Sequence, residues 1–154
     1  MLEEAGILSH IEQLESICFE PQHIPAHPSD ALAGTIVAIA RDEAFSFAYA
    51  ANIALLKDMG ASICYFSPVH NGCIPQEADA LWLPGGYPEL HAKALSENSS
   101  MISSLKQFHK DCNPILAECS GFMYCMDALV DLDGNSWSMA GLIRGTGTMK
   151  NKAG

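Results

Sequence analysis

Four short apolar runs, each followed by a turn and separated by helix-patterned segments, restrict this chain to few folds. Thr35-Ile-Val-Ala-Ile-Ala40 has strand length and no polar face, the pattern of a strand buried on both sides. Ser62-Ile-Cys-Tyr-Phe66, Ala80-Leu-Trp-Leu83 and Pro114-Ile-Leu-Ala-Glu118 read as three further strands. Between them, residues from about 48 to 59 carry Ile53, Leu55, Leu56 and Met59 and stop at Gly60. Residues from about 97 to 111 place Met101, Ile102, Leu105 and Phe108 on one stripe, and a further helix is expected over about 120–130. Strand and helix in alternation with short connections predict a three-layer α/β sandwich around a mostly parallel sheet. Apolar residues at 49% make such a core attainable for a chain of 154 residues.

Ahead of this body, Ser9 can cap a helix with Ile11, Leu14, Ile17 and Cys18 at helical spacing. Pro21, Pro25 and Pro28 then break regular structure, so residues 1–33 are expected to be a helix and a proline-rich linker. His23 and His27 lie in that linker and read as solvated side chains; no metal site is expected.

Eighteen acids against eight bases give a net charge of −10. With no basic cluster to neutralise phosphates, neither nucleic acid nor an anionic membrane surface is expected as a partner. That balance also makes the chain by itself a poor trap for a polycarboxylate, and if the acceptor substrate is a polyacid, the basic groups that hold it should lie mostly elsewhere. The six cysteines form no CxxC pair, and three of them (Cys64, Cys119 and Cys125) sit among apolar or small residues. The first residues lack the pattern of a secretory signal, and a reduced, cytoplasmic setting is the expectation.

Sites in such sheets form at the carboxyl ends of strands. Two ends here are unusual: Leu83-Pro-Gly-Gly-Tyr-Pro-Glu89 and Ala117-Glu-Cys-Ser-Gly121. The second has the build of a nucleophile elbow, a buried strand turning sharply into a helix through small neighbours. Cys119 would stand above the sheet, where a helix start favours the thiolate. The Ser120 N–H would face a developing oxyanion, and the Gly85-Gly86 turn could supply a second donor. Such equipment suits acyl transfer from an amide or ester. Glu118 could orient a partner or simply end the strand, and Cys125 reads as core. Spacing alone equally allows Cys119 as a structural cysteine and Gly85-Gly86 as a plain tight turn.

Taken together, Arg41-Asp-Glu-Ala-Phe-Ser-Phe47 with Tyr49 and Asn52, Leu83-Pro-Gly-Gly-Tyr-Pro-Glu-Leu-His91, Ala117-Glu-Cys119 and Gly121-Phe-Met-Tyr124 carry a resemblance. They resemble the glutamine amidotransferase domain of cobyrinic (or hydrogenobyrinic) acid a,c-diamide synthases, in order, from about residue 9 to 149. The tail Gly141-Leu-Ile with Met149 is also similar.

The resemblance implies a class I-like, flavodoxin-like amidotransferase domain over residues 34–154, incomplete at its C-terminal end. It implies glutamine hydrolysis through a thioester on Cys119, with Gly86 and Ser120 at the oxyanion positions. It also implies ammonia transfer to a separate ATP-binding synthetase domain that, with magnesium, activates carboxylates of a corrinoid acceptor in cobalamin biosynthesis.

Three departures accompany it. No GxxxxGK[ST] string occurs, Ser120 stands where glycine is usual, and no histidine follows Cys119. His91 and His109 are the remaining candidates for the family's base, and neither lies in a motif for one. Two alternatives stay open: a non-catalytic truncated remnant acting as a binding or assembly module, and an unrelated cysteine hydrolase. Self-association is expected if a sheet edge is left uncovered.

Overall fold

The first apolar run becomes β1 (Ile36–Ala40) in the computed structural model, which describes residues 30–150 together with Glu15, Ile17 and Cys18. The expected helix capped by Ser9 and the proline-spaced linker with His23 and His27 lie outside the described residues. β1 pairs in parallel with β2 (Ser62–Phe66) on one side and β3 (Ala80–Leu83) on the other. β3 pairs in parallel with β4 (Ile115–Ala117), which gives the order β2-β1-β3-β4. β1 is therefore central, and Ala38, Ile39 and Ala40 have no exposed surface. A run without a polar face is what that position requires.

Because side chains alternate across a strand, the sheet sorts its residues between two cores. Val37, Ile39 and Trp82 form the smaller one, against Ile53 and Leu56 of α1 (Ala50–Asp58). Ala38, Ala40, Leu81 and Leu83 face the larger one. Leu95 of α2 (Ala92–Glu97), the stripe Met101, Leu105 and Phe108 of α3 (Ser99–Lys110), and Tyr124 with Cys125 of α4 (Ser120–Cys125) cover it. Helices on both faces of a parallel sheet make the three-layer α/β arrangement that the alternation predicts. The Asn98 side chain caps α3 through the Met101 N–H and also donates to the Pro68 and Asn71 carbonyls. One residue thus starts the helix and anchors the loop after β2.

The expected helix over 120–130 is corrected. It ends at Cys125, and Met126–Val130 is a strand, β5. β5 lies between β6 (Ser136–Ser138, antiparallel) and β7 (Ile143–Thr148, parallel) in a separate three-stranded sheet. The apolar side chains of Met126, Leu129 and Val130 suit either element, and pairing with β7 decides for the strand. Asp131 fixes the β5–β6 turn by accepting bonds from the Asp133 and Asn135 N–H groups and from Trp137 Nε1 at 2.8 Å. Trp82 is buried in the sheet and Trp137 half-buried at this turn, so both act in packing.

Candidate active site

The turn from β4 into α4 is built by backbone strain. Cys119 adopts φ 48° and ψ −108°, a region that residues with a β-carbon rarely enter, at a cost of about 1–3 kcal/mol. The conformation throws the chain back over the end of β3. Glu118 N–H donates to the Leu83 carbonyl at 3.0 Å, and Gly121 N–H to the Pro84 carbonyl at 3.2 Å. A Cβ on Gly121 would lie 2.0 Å from the Leu83 oxygen, so only glycine fits there. Ser120 is fully buried, and its hydroxyl donates to the Pro84 carbonyl at 3.0 Å. Serine at this position therefore closes a polar contact that glycine could not. The Cys119 side chain is left exposed.

Gly85 and Gly86 lie beside this turn. A Cβ on Gly85 would sit 3.6 Å from that of Cys119. Phe47 N–H donates to the Gly85 carbonyl at 2.9 Å across an isolated antiparallel bridge. Gly86 meets the same segment even more closely, since a Cβ there would be 2.1 Å from the Ala44 oxygen. Among the described residues, no protein acceptor takes the N–H of Gly86 or of Ser120. The two predicted turns thus bring together an exposed thiol and two unengaged backbone donors.

What holds the Ala44 segment in place is a residue that the sequence reading passed over. Asp42 Oδ1 accepts the Ala44 and Phe45 N–H groups at 2.9 and 3.1 Å. Its Oδ2 accepts the Ser67 hydroxyl at 2.8 Å and the Val69 N–H at 3.0 Å. Asp42 stands two residues past the end of buried β1, where a carboxylate can collect the loop's free N–H groups. Phe45, packed edge-on against Tyr124 at 5.7 Å, ties the same loop to α4.

Other candidates stand apart from the thiol. Glu118 is exposed and takes a long bond from Trp82 Nε1 at 3.4 Å, in keeping with a strand end. His91 ends a 3-10 turn (Pro88–His91) at the start of α2, and His109 lies exposed near the end of α3. Among the described residues neither ring is hydrogen-bonded to Cys119. The Glu43 carboxyl is held below its ordinary value first by a backbone N–H, then by His70 at 2.8 Å, with His91 adding to the effect. Cys125 is buried core, as expected, and burial pushes its thiol up to about 11.

The glycine at 121 gives the sharpest test of this geometry. Gly121→Ala should lower stability by about 3 kcal/mol in urea unfolding, because the obstructing atom is backbone and cannot rotate away. A loss below about 1 kcal/mol would mean that the start of α4 shifts to admit the methyl group.

Residues 36–153 match the model of the CobB/CobQ-like glutamine amidotransferase domain. The chain is 48% identical over 118 residues to a cobyrinate a,c-diamide synthase of Dehalococcoides mccartyi (strain 195), covering 77% of this chain and 26% of that protein. It is 48% identical to the cobyrinate a,c-diamide synthase of Herminiimonas arsenicoxydans, covering 79% and 28%. It is 44% identical to the hydrogenobyrinate a,c-diamide synthase of Stutzerimonas stutzeri (strain A1501), again covering 79% and 28%. The chain thus spans little more than a quarter of the length of these curated relatives. Among solved structures, a peptidase E protein of Listeria monocytogenes EGD-e shares the fold. It gives a TM-score of 0.56 at 10% identity, over 73% of this chain and 64% of that one. The buried strands, the elbow and the glycine turn therefore belong to one known domain type: this chain is a member of the CobB/CobQ-like glutamine amidotransferase domain family.

Proposed function

We propose that this domain hydrolyses glutamine for an ATP-dependent a,c-diamide synthase acting on cobyrinic or hydrogenobyrinic acid, with Cys119 as the nucleophile. The observation that carries the reading is the strained, exposed Cys119 beside the unengaged N–H groups of Gly86 and Ser120. In this mechanism the Cys119 thiolate attacks the side-chain amide carbon of glutamine. The resulting oxyanion takes hydrogen bonds from Gly86 and Ser120, which stabilise it without reorganisation. Collapse breaks the C–N bond once the nitrogen has gained a proton and releases ammonia. Water then cleaves the thioester to glutamate and restores the thiol. ATP, magnesium and the corrinoid carboxylates belong, in this reading, to a synthetase domain.

Labelling with an electrophilic glutamine analogue at pH 8, read by mass spectrometry, should find Cys119 the most reactive of the six thiols. Exposed Cys18, Cys73 and Cys112 control for access, and Cys119→Ser should abolish the signal at that position. Cys125 should stay unlabelled until the pH rises toward about 11, since burial keeps its thiol protonated. Equal labelling of Cys73 would remove the argument.

Ammonia release by the purified 154-residue polypeptide should sit near background. Protonation of the leaving nitrogen by a positioned acid is worth about 10²- to 10⁴-fold, and no histidine is hydrogen-bonded to the thiol among the described residues. A longer chain or a complementing fragment that supplies such a group should restore the rate. Robust Cys119-dependent turnover by residues 1–154 would instead point to another base, with His91→Ala the next variant to make.

Self-association is the partner reading with support in the fold. β4 is an edge strand, and beside it runs an apolar cleft of about 520 Å³ between Leu55, Leu56, Trp82 and Leu116. Leu116 is 57% exposed at its rim. Light scattering at tens of micromolar should show species larger than a monomer, and a clean monomer would end this reading.

A further inference from the structure

We propose that the cavity between α1 and the carboxyl ends of β1 and β2 binds a small polycarboxylate, with Arg41 as its anchor. The cavity encloses about 730 Å³, within the range of small-molecule sites. Arg41 and Lys57, two of only eight basic residues in a chain of net charge −10, both line it. Among the described residues the ion pairs are His70–Glu43 and Lys93–Glu97, so neither cation has a carboxylate partner there. The one acid of the lining, Asp42, has both oxygens engaged by four donors.

The anchor is also pre-positioned. Arg41 N–H donates to the Phe66 carbonyl at 2.8 Å, and the guanidinium lies 5.1 Å from the Tyr65 ring centroid. With its carbon held over the Tyr65 ring and no carboxylate paired to it among the described residues, the guanidinium keeps N–H donors for a planar, bidentate acceptor, which a carboxylate is. Ser46 offers a hydroxyl, and Ile53 with Ala54 give an apolar wall to a carbon skeleton. A concave site with small apolar walls suits a compact molecule better than an extended peptide.

The site is distinct from Cys119, though the two share a wall. Ser46 lines the cavity, while its N–H lies 3.0 Å from where a Cβ of Gly86 would be. This inference therefore does not rest on the thiol's role. Citrate is the probe, titrated by calorimetry at low ionic strength into the full 154-residue chain.

Saturable binding at or below about 1 mM is expected, with no binding of glycerol. Arg41→Ala should weaken it at least about tenfold, as loss of a bidentate charged contact would, and Arg41→Lys should restore only part of it. Lys57→Ala, at an exposed helix position, reads the second charge in a protein whose fold is checked by circular dichroism. Cys119→Ser, and protein already labelled at Cys119, should bind citrate as the unmodified chain does. No saturable binding up to about 10 mM, or affinity unchanged in both the Arg41 and Lys57 variants, would overturn the proposal. So would binding of an acidic peptide without binding of citrate, or loss of citrate binding on Cys119 labelling.

Discussion

The site depends on how closely three backbone segments approach one another above the sheet. The Leu83 and Ala44 carbonyls stand where the β-carbons of residues 121 and 86 would be, at 2.0 and 2.1 Å. Only hydrogen fits in that space, so two glycines let the end of β3, the start of α4 and the loop after β1 meet. With a side chain at either position the exposed thiol and the glycine turn would separate. The strain at Cys119 is tolerated because Glu118 N–H, Gly121 N–H and the Ser120 hydroxyl all bond to the Leu83 and Pro84 carbonyls around it.

Rigid support for that meeting comes from both cores. The larger one presses Tyr124 and Cys125 of α4 against Leu81 and Leu83 of β3, which fixes the helix that carries the turn. Asp42 does the corresponding work for the loop, gathering donors from residues 44, 45, 67 and 69 onto one carboxylate. Tyr124 shows what this packing costs. Its hydroxyl is buried without a hydrogen-bond partner among the described residues, and burial first, then the charges of Cys125 and Asp42, raise its pKa. An unpaired buried hydroxyl costs about 1–3 kcal/mol, and the ring's contact with Phe45 offsets part of it.

Charge is distributed to match. The chain is strongly acidic, yet the turn that carries Cys119 has no acid apart from Glu118, which lies exposed at the strand end. Two cations converge instead on the cavity beside α1, on the far side of the Ala44–Phe47 wall. A single loop, Arg41–Phe47, therefore serves both places: its first residue faces the cavity, and its middle residues press on Gly86.

Much of this was legible in the residues themselves. The run with no polar face, Ile36–Ala40, takes a central place in the sheet, and the small-residue turn at Cys119 and Gly121 is tight. Local chemistry also placed Cys125 in the core and aligned the stripe of α3. Partners, however, come from distant parts of the chain, and those only the tertiary structure decided. Met126–Val130 reads as a continuing helix until Ile143–Thr148 offers it a ladder of hydrogen bonds, because apolar runs of that length satisfy either period. Asp42 looks like any polar residue at a strand end until Ser67 and Val69 are folded onto it. Arg41 and Lys57 are sixteen positions apart along the chain and become one site only when α1 lies across β2. Sequence fixes what each residue can bond to; the fold determines which of those bonds are within reach.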